Sequence, residues 1–161
     1  MDLLDKISRF LNRTLVWMAG VFLVGMVLLT CSNIFLRLVW APVRGTFELM
    51  GFFGAIVVAF TLGYTQIKRG HVAVDILVTQ FSKKTRRILD SINYSICMIF
   101  FTVTAWQIAK WATTLRQTGE VTETLRIIFY PFTYGVAFGC IVLALVLLID
   151  LLKLFVKQKG A

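Results

Sequence analysis

The hydrophobic residues are gathered into four long runs without any ionisable side chain, and nearly all charges lie between the runs. Each run is 19 to 23 residues long. A bilayer core about 30 Å thick needs roughly 20 apolar residues in helical form, so each run is long enough to span it. The runs cover residues 14–36, 49–67, 91–109 and 127–149.

The pattern within the runs predicts helices. Membrane β-strands alternate between apolar and polar side chains over about ten residues, and these runs do not alternate. A helix also satisfies its own backbone hydrogen bonds, which lipid requires. With 58% hydrophobic residues, the sequence predicts an all-α integral membrane protein with four transmembrane helices in a single membrane domain, residues 1–161. The predicted spans are about 14–37, 46–68, 87–111 and 131–153.

The basic residues predict the orientation of the chain, because Lys and Arg concentrate in cytoplasmic loops. The two termini and the loop between the second and third spans hold twelve of the 17 Lys and Arg residues, and the other two loops hold five. We therefore expect both termini on the cytoplasmic side. This distribution accounts for the net charge of +9, and no nucleic-acid partner is expected.

Two segments next to the spans are amphipathic. Residues 2–13 place their apolar side chains on one helical face, which fits either a helix on the membrane surface or the first turns of the first span. Residues 70–86 predict a cytoplasmic segment that lies along the membrane between the second and third spans. A basic cluster at its end would contact the head groups of membrane phospholipids. The cluster consists of Lys83, Lys84, Arg86 and Arg87.

The second span has small residues at every fourth position, namely Gly51, Ala55, Ala59 and Gly63. Small side chains at this spacing let two helix backbones approach closely, and such packing associates helices in lipid. The pattern therefore predicts a helix-packing surface. It leaves open whether the partner helix is in the same chain or in another subunit.

Glu48 is the strongest candidate for an acid within the membrane. Thr46 is the predicted N-cap of the second helix, and Glu48 then lies in the first turn, where an acid is favourable. We expect Glu48 to form an ion pair with Arg37 or Arg44 across the loop. Glu48 as the proton site of a small exporter is an alternative, although proton coupling requires an acid near mid-depth.

Polar pairs are also expected at the cytoplasmic ends of the spans. His71 and Asp75 fit a helix-end pair that organises the second loop, or ordinary capping. Asp150 lies three residues before Lys153 in a predicted helix, so a local ion pair is expected there.

The residue pattern contains no motif that would bind a cofactor or a metal, so neither is expected. Haem ligation in a membrane cytochrome usually needs paired histidines, and His71 is the only histidine. The three cysteines form no CxxC motif and are expected to be apolar fillers without a disulfide. The pattern likewise predicts no enzyme active site.

Four motifs in chain order resemble the small membrane subunit of TRAP (tripartite ATP-independent periplasmic) transporters, the DctQ type. They are residues 33–37 (NIFLR), Pro42, residues 45–49 (GTFEL) and residues 63–75 (GYTQIKRGHVAVD). Length, span number and predicted orientation agree with this family over essentially the whole chain. Many relatives carry two adjacent acids where this chain has only Glu48, so a role that needs both acids is not carried over.

The resemblance implies a multi-pass subunit in the bacterial inner membrane. It would form a stable complex with a large membrane subunit that transports a small organic anion, a carboxylate or a sulfonate, together with sodium by an elevator motion. A periplasmic substrate-binding protein would dock transiently. The small subunit is then a scaffold, in which Arg37 and Glu48 brace the outer loops and His71 and Asp75 organise the inner loop.

Two other classes remain open at this point. One is a self-sufficient, proton-coupled exporter that uses Glu48. The other is a membrane assembly factor without a role in transport.

Overall fold

The chain forms long membrane-spanning helices. The computed structural model describes residues 2–68 and 83–159, and within these ranges it contains four α-helices. Each is long and apolar enough to cross a membrane, so the predicted all-α fold with four membrane-spanning helices is confirmed. The helices are α1 (Asp2–Val39), α2 (Thr46–Ile67), α3 (Lys83–Thr118) and α4 (Tyr130–Lys159).

Three helices extend beyond the predicted spans. Because α1 begins at Asp2, residues 2–13 form one continuous helix with the first predicted span. Residues 83–86 form the first turn of α3, which continues to Thr118, beyond the predicted end near residue 111. Residues 70–82 of the predicted surface segment, which include His71 and Asp75, lie outside the described residues.

The helix α4 is the centre of the fold and packs against the other three helices. In the most apolar part of α4, 44% of the residues are buried, compared with 6% in α3, which packs mainly against α4. The main hydrophobic cluster therefore lies among α1, α2 and α4, and α3 packs on α4 beside it with buried residues such as Ala112 and Leu115. The buried core residues are Leu15, Ala19, Ile56, Ala59, Phe60 and Val142.

A tight turn joins α1 to α2. Gly45 has a φ of 74° and occupies the position before the first helical residue. The predicted N-cap was wrong, because Thr46 already lies in α2 and its hydroxyl donates a hydrogen bond to the Val43 carbonyl (2.8 Å). The Asn33 side chain accepts a hydrogen bond from the Val43 N–H (2.8 Å). The side chains of Asn33 and Thr46 thus bond the N–H and the carbonyl of Val43 and fix the turn.

The loop between α3 and α4, residues 119–129, is ordered by its own hydrogen bonds. Gly119 ends α3 with a φ of 66°, a conformation that favours glycine. Val121 and Ile128 form an isolated antiparallel bridge. The Thr122 hydroxyl accepts a hydrogen bond from the Ile127 N–H (3.1 Å). Pro131 lies in the first turn of α4, where a missing N–H costs little.

Charged side chains join α1, α2 and α4 at the end of the bundle that carries the chain termini. Lys153 forms an ion pair with Asp5 (2.8 Å), and Asp150 accepts a hydrogen bond from the Gln66 amide (3.3 Å). The predicted pair between Asp150 and Lys153 was wrong, because each side chain finds its partner on another helix.

Candidate helix-packing and interface site

The small-residue stripe of α2 has two halves in different environments. Gly51 and Ala55 are exposed, and a Cβ atom added to Gly51 would have no neighbour within 4 Å. Ala59 and Gly63 are buried inside the chain. The stripe thus packs internally at one end and presents an open surface at the other.

Ala59 lies where α2 crosses α4 at Gly139. A Cβ atom added to Gly139 would lie 2.5 Å from the Ala59 carbonyl oxygen and 2.9 Å from the Ala59 Cβ. These distances are shorter than the contacts that real Cβ atoms make. Only glycine therefore permits this approach of the two backbones.

Gly63 lies against Asn12 of α1. A Cβ atom added to Gly63 would collide with the Oδ1 atom of Asn12, whose side chain is only 1% exposed. The Asn12 amide donates a hydrogen bond to the Ser8 carbonyl (2.8 Å), and its Oδ1 has no hydrogen-bond partner in the described residues. The sequence did not identify Asn12, because it follows four charged residues in a segment that looked like a membrane surface helix.

Glu48 connects the two loops at the end of the bundle opposite the chain termini. Its Oε1 accepts a hydrogen bond from the Thr124 N–H (2.7 Å), and its Oε2 accepts one from the Leu125 N–H (3.1 Å). The Leu125 side chain packs against Gly45, where any Cβ atom would collide with it. The carboxylate therefore fastens the α3–α4 loop onto the start of α2.

The predicted ion pair of Glu48 with Arg37 or Arg44 is not found among the described residues. Both carboxylate oxygens already accept hydrogen bonds from backbone N–H groups of the loop. The two arginines are exposed at the same end of the bundle. The partners of Glu48 are thus backbone N–H groups of a folded loop, whereas the sequence had predicted an arginine side chain.

The outer faces of α1 and α3 are apolar and exposed. In the most apolar part of α1 only 11% of the residues are buried. Trp40 and Phe47, at the junction of α1 and α2, are each 89% exposed. A membrane protein covers such faces with lipid or with another subunit.

The remaining candidate residues lie on α3 and within the spans. The basic cluster Lys83, Lys84, Arg86 and Arg87 lies in the first two turns of α3, and Arg87 is partly buried. In the described part of the chain, no three His, Cys, Asp or Glu side chains lie together as a metal site would require. Cys31, Cys97 and Cys140 are unpaired thiols, and Cys140 is buried.

Comparison with known proteins identifies the family. No curated protein and no solved structure matches the chain. The family model described as "Tripartite ATP-independent periplasmic transporters, DctQ component" matches residues 26–157, which is most of the chain. The other components of these transporters are a large membrane subunit and a substrate-binding protein. This chain is therefore a multi-pass membrane protein that belongs to the DctQ family of transporter components.

Proposed function

We propose that this chain is the non-catalytic small subunit of a sodium-coupled TRAP transporter for a small organic anion. It is the stationary scaffold beside a large elevator-type subunit in the bacterial inner membrane, with both termini in the cytoplasm. Membership of the DctQ family supports this proposal, and so does the excess of basic residues in the termini and the second loop. The α3–α4 loop then faces the periplasm, where the binding protein docks.

The observation that carries the proposal is the environment of Glu48. A proton carrier must bind and release a proton near the middle of the membrane. Glu48 instead lies in the first turn of α2, and both of its oxygens accept backbone hydrogen bonds from one loop. This arrangement favours a structural fastener and argues against the exporter alternative.

The outward half of the α2 stripe is the proposed contact for a helix of the large subunit. Gly51 and Ala55 are exposed and lie between two exposed apolar side chains, Phe47 (89%) and Val58 (61%). Small residues flanked by larger apolar ones form a shallow groove that another helix fits. Ala59 and Gly63, which are buried within the chain, hold α2 in place behind this groove.

Reconstitution into proteoliposomes tests the function. The chain alone is expected to transport no organic anion, and uptake is expected once the large subunit, the binding protein and an inward sodium gradient are present. Uptake by a Glu48→Gln variant of the chain alone tests the exporter alternative. If the chain alone transports the anion and Glu48→Gln abolishes that transport, the scaffold proposal is refuted.

Co-purification with the large subunit tests the groove. The double substitution Gly51→Leu and Ala55→Leu fills the groove, and overpacking of this kind costs about 1–3 kcal/mol, or roughly 5- to 150-fold in affinity. The matched control is Gly20→Leu on α1, since Gly20 also has no neighbour within 4 Å of an added Cβ. Equal retention of the large subunit by both variants would contradict the proposed contact.

A further inference from the structure

A cleft lies at the end of the bundle that carries the chain termini, between the start of α1, the end of α2 and the end of α4. Its volume is about 600 Å³. The ionisable side chains that line it are four bases and two acids, which gives it an excess of positive charge. They are Arg9, Arg13, Lys68, Lys153, Asp5 and Asp150.

The acids of the cleft are already engaged. Asp5 pairs with Lys153, and Asp150 accepts the hydrogen bond from Gln66. In the described part of the chain, Arg9 and Arg13 have no acidic partner. Because they lie four residues apart on one face of α1, their like charges repel each other. An anion bound between the two guanidinium groups would relieve this repulsion and accept their hydrogen bonds.

The first turns of α1 are amphipathic in an unusual sense. Large apolar side chains face outward, with Leu3 71% and Phe10 72% exposed, whereas the polar side chains of Asp5, Arg9 and Arg13 line the cleft. Ser8 and Asn12, which are 4% and 1% exposed, also line it. A helix with an apolar face toward lipid and a polar face away from it lies at the boundary of head groups and acyl chains, which brings the cleft to the depth of the head groups.

One wall of the cleft is suited to a lipid chain. Trp17 lines the cleft one helical turn beyond Arg13 and is 71% exposed to the surroundings of the bundle. Tryptophan prefers the boundary between head groups and acyl chains. Val16 adds an apolar contact beside it. The cleft thus leads from a basic region to an apolar surface, as the head group and glycerol backbone of a phospholipid require.

We propose that this cleft binds the phosphate-bearing head group of an anionic phospholipid of the leaflet on the side of the chain termini. Arg9 and Arg13 hold the phosphate, and Lys68, which lies over the Tyr64 ring, adds positive charge. The acyl chains leave the cleft beside Trp17. The bound lipid fills the space between the ends of α1, α2 and α4. This site is independent of the proposed role in transport.

Lipid binding to the purified full chain in detergent micelles tests the proposal. Native mass spectrometry compares dioleoylphosphatidylglycerol with dioleoylphosphatidylcholine as probes. Each basic residue near an anionic head group contributes about fivefold to affinity, so the double variant Arg9→Gln and Arg13→Gln is expected to bind phosphatidylglycerol about 20- to 30-fold more weakly. Binding of phosphatidylcholine is expected to remain unchanged. Undiminished binding of phosphatidylglycerol would overturn the proposal.

The matched control is the double variant Arg37→Gln and Arg44→Gln, which removes two exposed arginines at the opposite end of the bundle. It is expected to retain full phosphatidylglycerol binding, and an equal loss in both double variants would overturn the proposal in favour of general surface charge. If the first double variant does not fold, Arg9→Gln and Arg13→Gln singly provide the same test, each with about fivefold loss.

Excess inorganic phosphate distinguishes the two possible sources of the anion. Phosphatidylglycerol that stays bound in its presence supports a lipid site, because the apolar wall contributes to lipid affinity alone. Displacement of the lipid by inorganic phosphate would overturn the assignment and indicate a site for a soluble anion.

Discussion

Replacement of Gly139 by alanine tests the close approach of the α2 and α4 backbones. The added Cβ would lie 2.5 Å from the Ala59 carbonyl oxygen, whereas ordinary contacts begin at 3.4 Å. The obstacle is helix backbone, which cannot rotate away as a side chain can. The helices α2 and α4 must therefore separate by roughly 1 Å over the core residues that they share. Overpacking of this kind costs about 1–3 kcal/mol, and we expect the upper half of that range.

Thermal unfolding of the purified chain measures this cost. A loss of 2–3 kcal/mol corresponds to a fall of about 4–12 °C in the unfolding midpoint for a chain of this size. Gly135→Ala is expected to cost less, because its Cβ would meet only the mobile end of the Ile56 side chain at 2.6 Å. Gly20→Ala and Gly51→Ala, with no neighbour within 4 Å, are expected to be neutral or stabilising. Unchanged stability of Gly139→Ala would refute the close crossing.

Three further predictions concern the two ends of the bundle. Glu48→Gln leaves one acceptor oxygen for two backbone donors, so one hydrogen bond to the α3–α4 loop is lost and the other loses its charge. Amide hydrogen exchange in that loop is therefore expected to accelerate, while the control Glu120→Gln leaves it unchanged. Equal rates in the two variants would contradict the fastening role. The pair of Asp5 with Lys153 is partly exposed (21% and 45%), so a double-mutant cycle with Asp5→Asn and Lys153→Gln is expected to give a coupling below about 1 kcal/mol that shrinks with salt. In a cysteine-free background, Glu120→Cys is expected to react with an impermeant maleimide on intact cells, and Lys6→Cys, at an exposed charged position of α1, only after permeabilisation. The reverse result would invert the proposed topology.

The sequence predicts the four membrane-spanning helices because lipid imposes a strong and simple requirement. Uninterrupted apolar runs of span length have few folded alternatives to a membrane helix. The ends of the helices are harder to predict from the sequence, because charged residues mark the edge of the lipid and do not end a helix. The helix α3 continues past Lys110 and Arg116 for this reason.

The small-residue stripe shows a second limit of prediction from sequence, which concerns the direction in which each residue faces. Residues four apart are separated by about 400° around a helix, so each step drifts by about 40° and three steps drift by about 120°. Gly51 and Gly63 therefore cannot face the same neighbour along a straight α2. The spacing identifies residues fit for close packing, but the direction of each depends on where α1 and α4 lie.

Charge pairing was the least predictable feature. Both predicted local pairs failed because better placed partners lay far along the chain, such as the backbone N–H groups of Thr124 and Leu125 for Glu48. Sequence distance does not reveal such partners. They follow from the packing of whole helices, which brings residues 48 and 124 together.

The central position of α4 has a consequence for biosynthesis. The core needs α4 between α1 and α2, yet α4 is the last of the described helices to be made. During synthesis, α1 and α2 can pair as soon as they are inserted, whereas α3 has its main packing surface only once α4 has entered the bilayer. Until then the face of α2 that carries Ile56 and Ala59 lacks the α4 glycines, Gly135 and Gly139, against which it packs. The three-helix core thus assembles only when α4 is in place.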